Sequence, residues 1–269
     1  MAIVRATLFY LLFLLTHATL VPLFVPHWTL SRFLIVTVLY GLGTAAMLYL
    51  LFHPRSQWLV PNRSRVTDNN CVALTFDDGP DPLYTPKLLD LLRDKDVKAT
   101  FFVIGEQAQQ HPEIVRRAWE EGHLIATHTW SHPLLFCFLT PRRLRQEVEN
   151  GVQGIRDICG VSPRHFRSPV GLRHPMLNIV LKNAGLEYVS WRVKSCDTLI
   201  RNPQTLASRI MDKTTGGDII LLHDRLPQGT GAMLQVLPGI IDDLREKGLE
   251  FVLAGPRGDS ENHLCESAR

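Results

Sequence analysis

Apolar positions follow two different patterns along the chain. No formal charge lies between Arg5 and Arg32, or between Arg32 and Arg55. A helix of about 20 apolar residues crosses the hydrocarbon core of a bilayer. The pattern therefore predicts two transmembrane helices, Ala6–Pro26 and Phe33–Phe52, within a membrane anchor over 1–55. Arg5 before the first run, and Arg55, Arg63 and Arg65 after the second, favour a cytoplasmic placement of both ends. Membrane lipid is then an expected partner. The polar stretch 56–70, with Pro61 and Asn62, reads as a linker.

From Cys71 onward, short apolar runs alternate with helical periodicity. Strands are predicted at Cys71–Phe76, Thr100–Ile104, Leu124–Thr127, His165–Arg167, Tyr188–Trp191, Asp218–Leu222 and Glu250–Leu253. Helices are predicted near Thr85–Lys95, Pro112–Glu121, Pro141–Cys159, Pro175–Ala184, Pro203–Lys213 and Ala232–Lys247. Proline suits a first helical turn. Gly122, Gly160, Gly185 and Gly248 follow four of the helices, as C-terminal glycines do. Near-continuous apolar strands alternating with helices predict a parallel sheet clothed by helices. Seven such strands suit an incomplete barrel over 71–255, with a polar tail over 256–269. The whole-chain expectation is α/β: a distorted seven-stranded (β/α) barrel preceded by two transmembrane helices.

Composition narrows the picture only slightly. The chain is 45% hydrophobic and 20% charged, which excludes disorder. Its net charge of +3 comes without a basic block interleaved with aromatics, so nucleic acid is not an expected partner. Five scattered cysteines form neither a disulfide framework nor a CxxC zinc pair.

Candidate chemistry sits at strand ends, where barrel active sites collect. Asp77 and Asp78 close the first strand ahead of Gly79-Pro80. His128 and His132 follow the third strand, four residues apart, a spacing that lets two imidazoles grip one metal ion. His223 ends the wholly apolar run Ile219–Leu222, and Arg167 precedes the turn Ser168-Pro169-Val170-Gly171. One Asp with two His leaves room for water, as in a catalytic rather than a structural zinc site.

TFDDG (75–79), HTWSH (128–132) and LLHD (221–224), in that order, resemble the polysaccharide deacetylases of carbohydrate esterase family four. These carry a NodB homology domain. The resemblance covers about Cys71–Gly255 and implies metal-assisted hydrolysis of an N-acyl group, most simply N-acetyl, on an amino sugar. It implies Asp78, His128 and His132 as metal ligands, with Zn²⁺ (or Co²⁺) as the ion. It implies Asp77 as general base, Arg167 as the group orienting it, and His223 as general acid tuned by Asp197. Leu221 and Pro169 would shape the acetyl pocket, and the Val170 backbone N–H would face the oxyanion. The expected partner is an N-acylated amino-sugar glycan or glycolipid.

Two positions depart from the family pattern. Val170 stands where an aromatic residue is usual. Lys194-Ser195-Cys196-Asp197-Thr198 replaces an Asp-x-x-Asp-Trp motif. A non-catalytic membrane-anchored glycan binder and an O-acetyl esterase are the alternative readings.

Overall fold

The computed structural model describes residues 29–53, 56–225 and 231–256. Two compact units, Met1–Leu48 and Tyr49–Arg269, make up the chain. The first described element is a 23-residue helix, α1 (Leu30–Phe52). Its apolar sequence is interrupted by Thr37, Tyr40, Gly41, Gly43 and Thr44. The Thr37 and Thr44 hydroxyls donate back to the carbonyls of Phe33 and Tyr40, each at 2.9 Å. Among the described residues, no helix is long and apolar enough to cross a membrane. This corrects the expectation of two transmembrane helices and of an integral membrane protein. The expectation rested on freedom from charge, which does not by itself make a span. The stretch Ala6–Pro26 lies outside the described residues. The orientation and the lipid partner rested on those spans and lose that support.

Among the described residues, the second unit has nine strands. They are β1 (Asn62–Arg63), β2 (Cys71–Asp77), β3 (Thr100–Val103), β4 (Leu124–Thr127), β5 (His165–Phe166), β6 (Glu187–Val189), β7 (Val193–Lys194), β8 (Ile219–His223) and β9 (Glu250–Phe251). Their order is β1-β6-β5-β4-β3-β2-β8-β7, with β9 paired to β2. Every pairing between these strands is parallel. Helices α2 (Thr85–Asp94), α3 (Gly105–Gln110), α4 (Pro112–Glu120), α5 (Pro141–Cys159), α6 (Leu177–Asn183), α7 (Pro203–Met211) and α8 (Ala232–Glu246) connect them.

The strand count differs from the expected seven for two reasons. Asn62–Arg63, inside the expected linker, pairs with β6. The strand expected over Tyr188–Trp191 ends already at Val189, and a separate strand, Val193–Lys194, follows beyond the expected range. The Ser190 N–H donates to the Arg63 carbonyl at 2.8 Å, and the Arg192 N–H to the Ile219 carbonyl at 3.0 Å. The chain thus steps from the β1 and β6 side to β8, and covalently bridges the two ends of an open sheet.

β2 lies at the centre, buried at all seven positions between β3 and β8. Alternate side chains of a strand face opposite sides. Val72, Leu74 and Phe76 pack with Leu88, Leu89 and Leu92 of α2 in one apolar cluster. Ala73 belongs to a separate, smaller cluster with Phe102, Ala126, Trp191 and Leu221. Thr75 and Asp77 share the face of Ala73, so this side of the strand turns polar toward its C-terminal end.

Helix α5 shows how closely the helices approach the sheet. Thr140 caps its start by accepting from the Arg143 N–H at 3.3 Å, and Gly160 ends it in the left-handed region (φ 74°). Its buried positions are Leu144, Glu147, Val148, Gly151 and Ile155, one helical stripe. A Cβ at Gly151 would lie 2.5 Å from Thr127 Oγ1 and 3.1 Å from the Thr129 carbonyl carbon. Alanine is intrinsically better than glycine in a helix by about 1 kcal/mol. Here the contact reverses the sign. Gly151→Ala is expected to lower unfolding stability by about 1–3 kcal/mol in urea titration; a stabilised variant would contradict this packing.

Candidate active site

All parallel strands end at the same side of the sheet, and the candidate residues gather there. Asp77 is the last residue of β2 and pairs in register with His223, the last of β8. Thr127, the last residue of β4, is followed by the loop that carries His128 and His132. Arg167 directly follows β5. The turns that expose these groups are strained. Asp78 (φ 78°), Thr129 (φ 69°), His132 (φ 52°), Val170 (φ 56°) and Cys196 (φ 63°) all occupy the left-handed region without being glycine. Such conformations cost of order 1–3 kcal/mol each and persist where surrounding contacts over-determine them.

The left-handed turn at Asp78 resolves the problem of two adjacent carboxylates. Asp77 stays on the strand, with its side chain buried. Asp78 leaves the extended path and meets both histidines. Its Oδ1 lies 3.4 Å from His128 Nε2 and 3.2 Å from His132 Nε2. One ligand atom from each of these residues lies within 4.8 Å of the others, a set able to hold a metal ion. The Arg167 carbonyl, 2.7 Å from His128 Nδ1, needs a donor there, which leaves the Nε2 lone pair facing Asp78. A carboxylate with two imidazoles suits a zinc-like ion.

Electrostatics agree with a ligand set. Burial opposes the Asp78 charge, but the hydrogen bond and charge of His128, which carries a proton on Nε2 when no ion replaces it, hold the Asp78 carboxyl well below the usual range. Burial first, then the neighbouring His128, pushes His132 down to about 4, so its imidazole is neutral.

Two further pairs flank this set. Arg167 is fully buried, and its Nη1 donates to Asp77 Oδ1 at 2.6 Å and to Thr75 Oγ1 at 2.8 Å. Its Nε and Nη2 reach the carbonyls of Val189 (3.2 Å) and Ser190 (3.0 Å). Asp77 Oδ2 faces His128 Nε2 at 3.8 Å. On the other side, His223 Nδ1 donates to Asp197 Oδ1 at 2.7 Å, and the His223 N–H to Asp197 Oδ2 at 2.8 Å. Ser195 Oγ and the Thr198 N–H also donate to Asp197 Oδ1, at 2.9 and 3.1 Å. Burial works against a charged His223, but the Asp197 hydrogen bond and charge outweigh it, with Asp77 and Asp78 adding, and raise it to about 9. Pro169 and Leu221 are buried, while Val170 is 58% exposed.

Three supporting residues escaped the sequence reading. Thr75 shares Arg167 with Asp77. Asp224, 1% exposed, accepts from Thr85 Oγ1 at 2.8 Å, and its N–H donates to the Asp77 carbonyl at 3.1 Å. Burial raises its carboxyl to about 7. A Cβ at Gly79 would collide with this carboxylate, which explains the glycine of the DDG turn. Glu147 lies within the apolar stripe of α5, and an acid at a core-facing position was the available signal.

Comparison with known proteins agrees with this geometry. The polysaccharide deacetylase family profile matches residues 64–189. The chain is 35% identical over 197 residues to a peptidoglycan-N-acetylglucosamine deacetylase of Listeria monocytogenes, covering 72% of this chain but only 40% of that protein's length. It is 39% identical over 170 residues to a chitooligosaccharide deacetylase of a Bradyrhizobium species, covering 62% of this chain and 77% of that protein. A family 4 carbohydrate esterase from Streptomyces lividans, solved in complex with acetate, matches with a TM-score of 0.62 at 33% identity, over 69% of this chain and 93% of that one. The chain belongs to the polysaccharide deacetylase family.

Proposed function

We propose that this chain hydrolyses the N-acetyl group of an amino sugar within a glycan. One observation carries the reading. A carboxylate clamped by arginine and a histidine clamped by aspartate end neighbouring strands, in register, beside an Asp/His/His ligand set. The relatives' named substrates, peptidoglycan N-acetylglucosamine and chitooligosaccharide, support an N-acetylated amino-sugar glycan here too.

Asp78, His128 and His132 would hold the metal, Zn²⁺ by the nature of the donors. When bound, the ion supplies positive charge that polarises the acetyl carbonyl and acidifies water. The remaining chemistry belongs to side chains. Arg167 occupies Asp77 Oδ1 and leaves Oδ2 to take a proton from water as its oxygen adds to the carbonyl carbon. Asp197 occupies His223 Nδ1, which leaves the Nε2–H to donate. The C–N bond breaks with its electron pair on nitrogen. His223 protonates that nitrogen, and acetate and the free amine depart. Leu221 and Pro169 would wall the acetyl methyl, and the Val170 backbone N–H would steady the developing oxyanion.

Acetate release from N-acetylated chitooligosaccharide is the direct assay. Chelator should abolish it, and Zn²⁺ or Co²⁺ should restore it. Asp77→Asn keeps an acceptor for Arg167 but loses the base, so kcat should fall about 10²–10⁴-fold. Full activity in that variant would sink the mechanism.

A second expectation concerns pH. His223 must be protonated to act, so kcat should decline as pH rises through its pKa. That pKa is about 9 without a metal, and a cation held at Asp78 moves it lower. Asp197→Asn removes the charge that favours the imidazolium. The alkaline limb of the pH–kcat profile should then shift to lower pH by about 1–3 units. An unmoved limb would exclude His223 as the acid.

A further inference from the structure

Resting on that metal-site reading, we propose that Glu147 is a positioning residue for the metal, acting through Ser131 on the loop that presents His132. Glu147 lies in the middle of α5 and is 1% exposed. Burying a carboxylate is costly unless it is paired and hydrogen-bonded, and an apolar residue at such a site is often as stable or more so. Its position in a stripe of Leu144, Val148 and Ile155 is therefore not accounted for by packing.

Its hydrogen bonds show what it holds. Oε2 accepts from the Ser131 N–H at 2.8 Å, and Oε1 accepts from Ser131 Oγ at 2.8 Å. Arg143, one turn earlier on the same helix and half-exposed, lies 2.7 Å from Oε1 and balances the charge. The carboxylate thus grips both hydrogen-bond donors of the residue between Trp130 and His132. The two histidine arms are secured differently. The His128 ring is set by the Arg167 carbonyl at Nδ1. The His132 arm is set through its backbone, which adopts φ 52°. Thr129 Oγ1 accepts from the His132 N–H at 3.1 Å, and the Thr129 and Trp130 carbonyls accept from the N–H groups of Gly105 and Glu106, both at 3.0 Å. Glu147 supplies the remaining restraint, on the residue adjacent to the ligand. Without it, the strained turn at His132 is free to relax and carry the imidazole away from Asp78.

The test is Zn²⁺ affinity of the full chain, measured by competition with a chromophoric chelator. Partners that orient metal ligands typically alter affinity 10–100-fold. Glu147→Ala should weaken Zn²⁺ binding by that factor, and Glu147→Gln, which keeps an acceptor for the Ser131 N–H, should recover most of it. Thermal melting in excess chelator separates a purely structural role, which would lower the midpoint and leave the Zn²⁺ Kd unchanged. Should Glu147→Ala fail to fold, Ser131→Ala removes the hydroxyl contact alone and should weaken binding several-fold. A Kd within twofold of wild type in both Glu147→Gln and Ser131→Ala, with Glu147→Ala either equally tight or unfolded, overturns the proposal. A wild-type chain that binds no Zn²⁺ overturns the metal site itself, and this inference with it.

Discussion

The contact between Arg167 and Asp77 is the constraint on which the site and the closure of the sheet both depend. Both side chains are buried, and removing two such charges from water costs several kcal/mol per ion. The cost is offset because the guanidinium also meets Thr75 and the carbonyls of Val189 and Ser190. Its carbon sits 3.9 Å over the Phe102 ring, a cation–π contact inside the fold. Those two carbonyls lie where β6 ends and the chain crosses to β8. The group that orients the proposed base is thus also the group that satisfies the backbone at the seam. A shorter cation could not span both sides, and the planar fork of arginine can.

Strain is concentrated on the same face. Of the six non-glycine residues with positive φ among the described residues, only Asp96 lies away from the loops of the site. Asp78, Thr129, His132, Val170 and Cys196 are each followed or preceded by groups of the proposed machinery. The rigid part that bears this strain is the parallel sheet, above all β2, which is buried throughout. Loops held against it by Glu147, Asp224 and Asp197 keep unfavourable backbone angles that an isolated peptide would abandon.

Much of the fold was legible because its signals are local. β2, β4 and β8 are apolar runs, and helices such as Pro141–Cys159 carry their own caps. β1 and β7 were not legible. Two-residue strands have no period, and they exist only because a neighbouring edge offers hydrogen-bond partners. The N-terminal stretch shows a related limit: lack of charge over Phe33–Phe52 suggested a membrane span, but no helix among the described residues meets the length and apolarity that crossing requires.

For the site, residue types and strand-end placement identified Asp77, Asp78, His128, His132 and His223 as one group, since each is chemically conspicuous beside an apolar run. The amino-acid sequence by itself therefore determined the chemistry available and the family to which it belongs. Only the tertiary structure decided which oxygen of Asp77 is taken, which nitrogen of His128 is free, and that Thr75, Glu147 and Asp224 hold these groups in place. Such choices depend on distances of about 3 Å between residues far apart in the chain, and no local pattern of hydrophobicity records them.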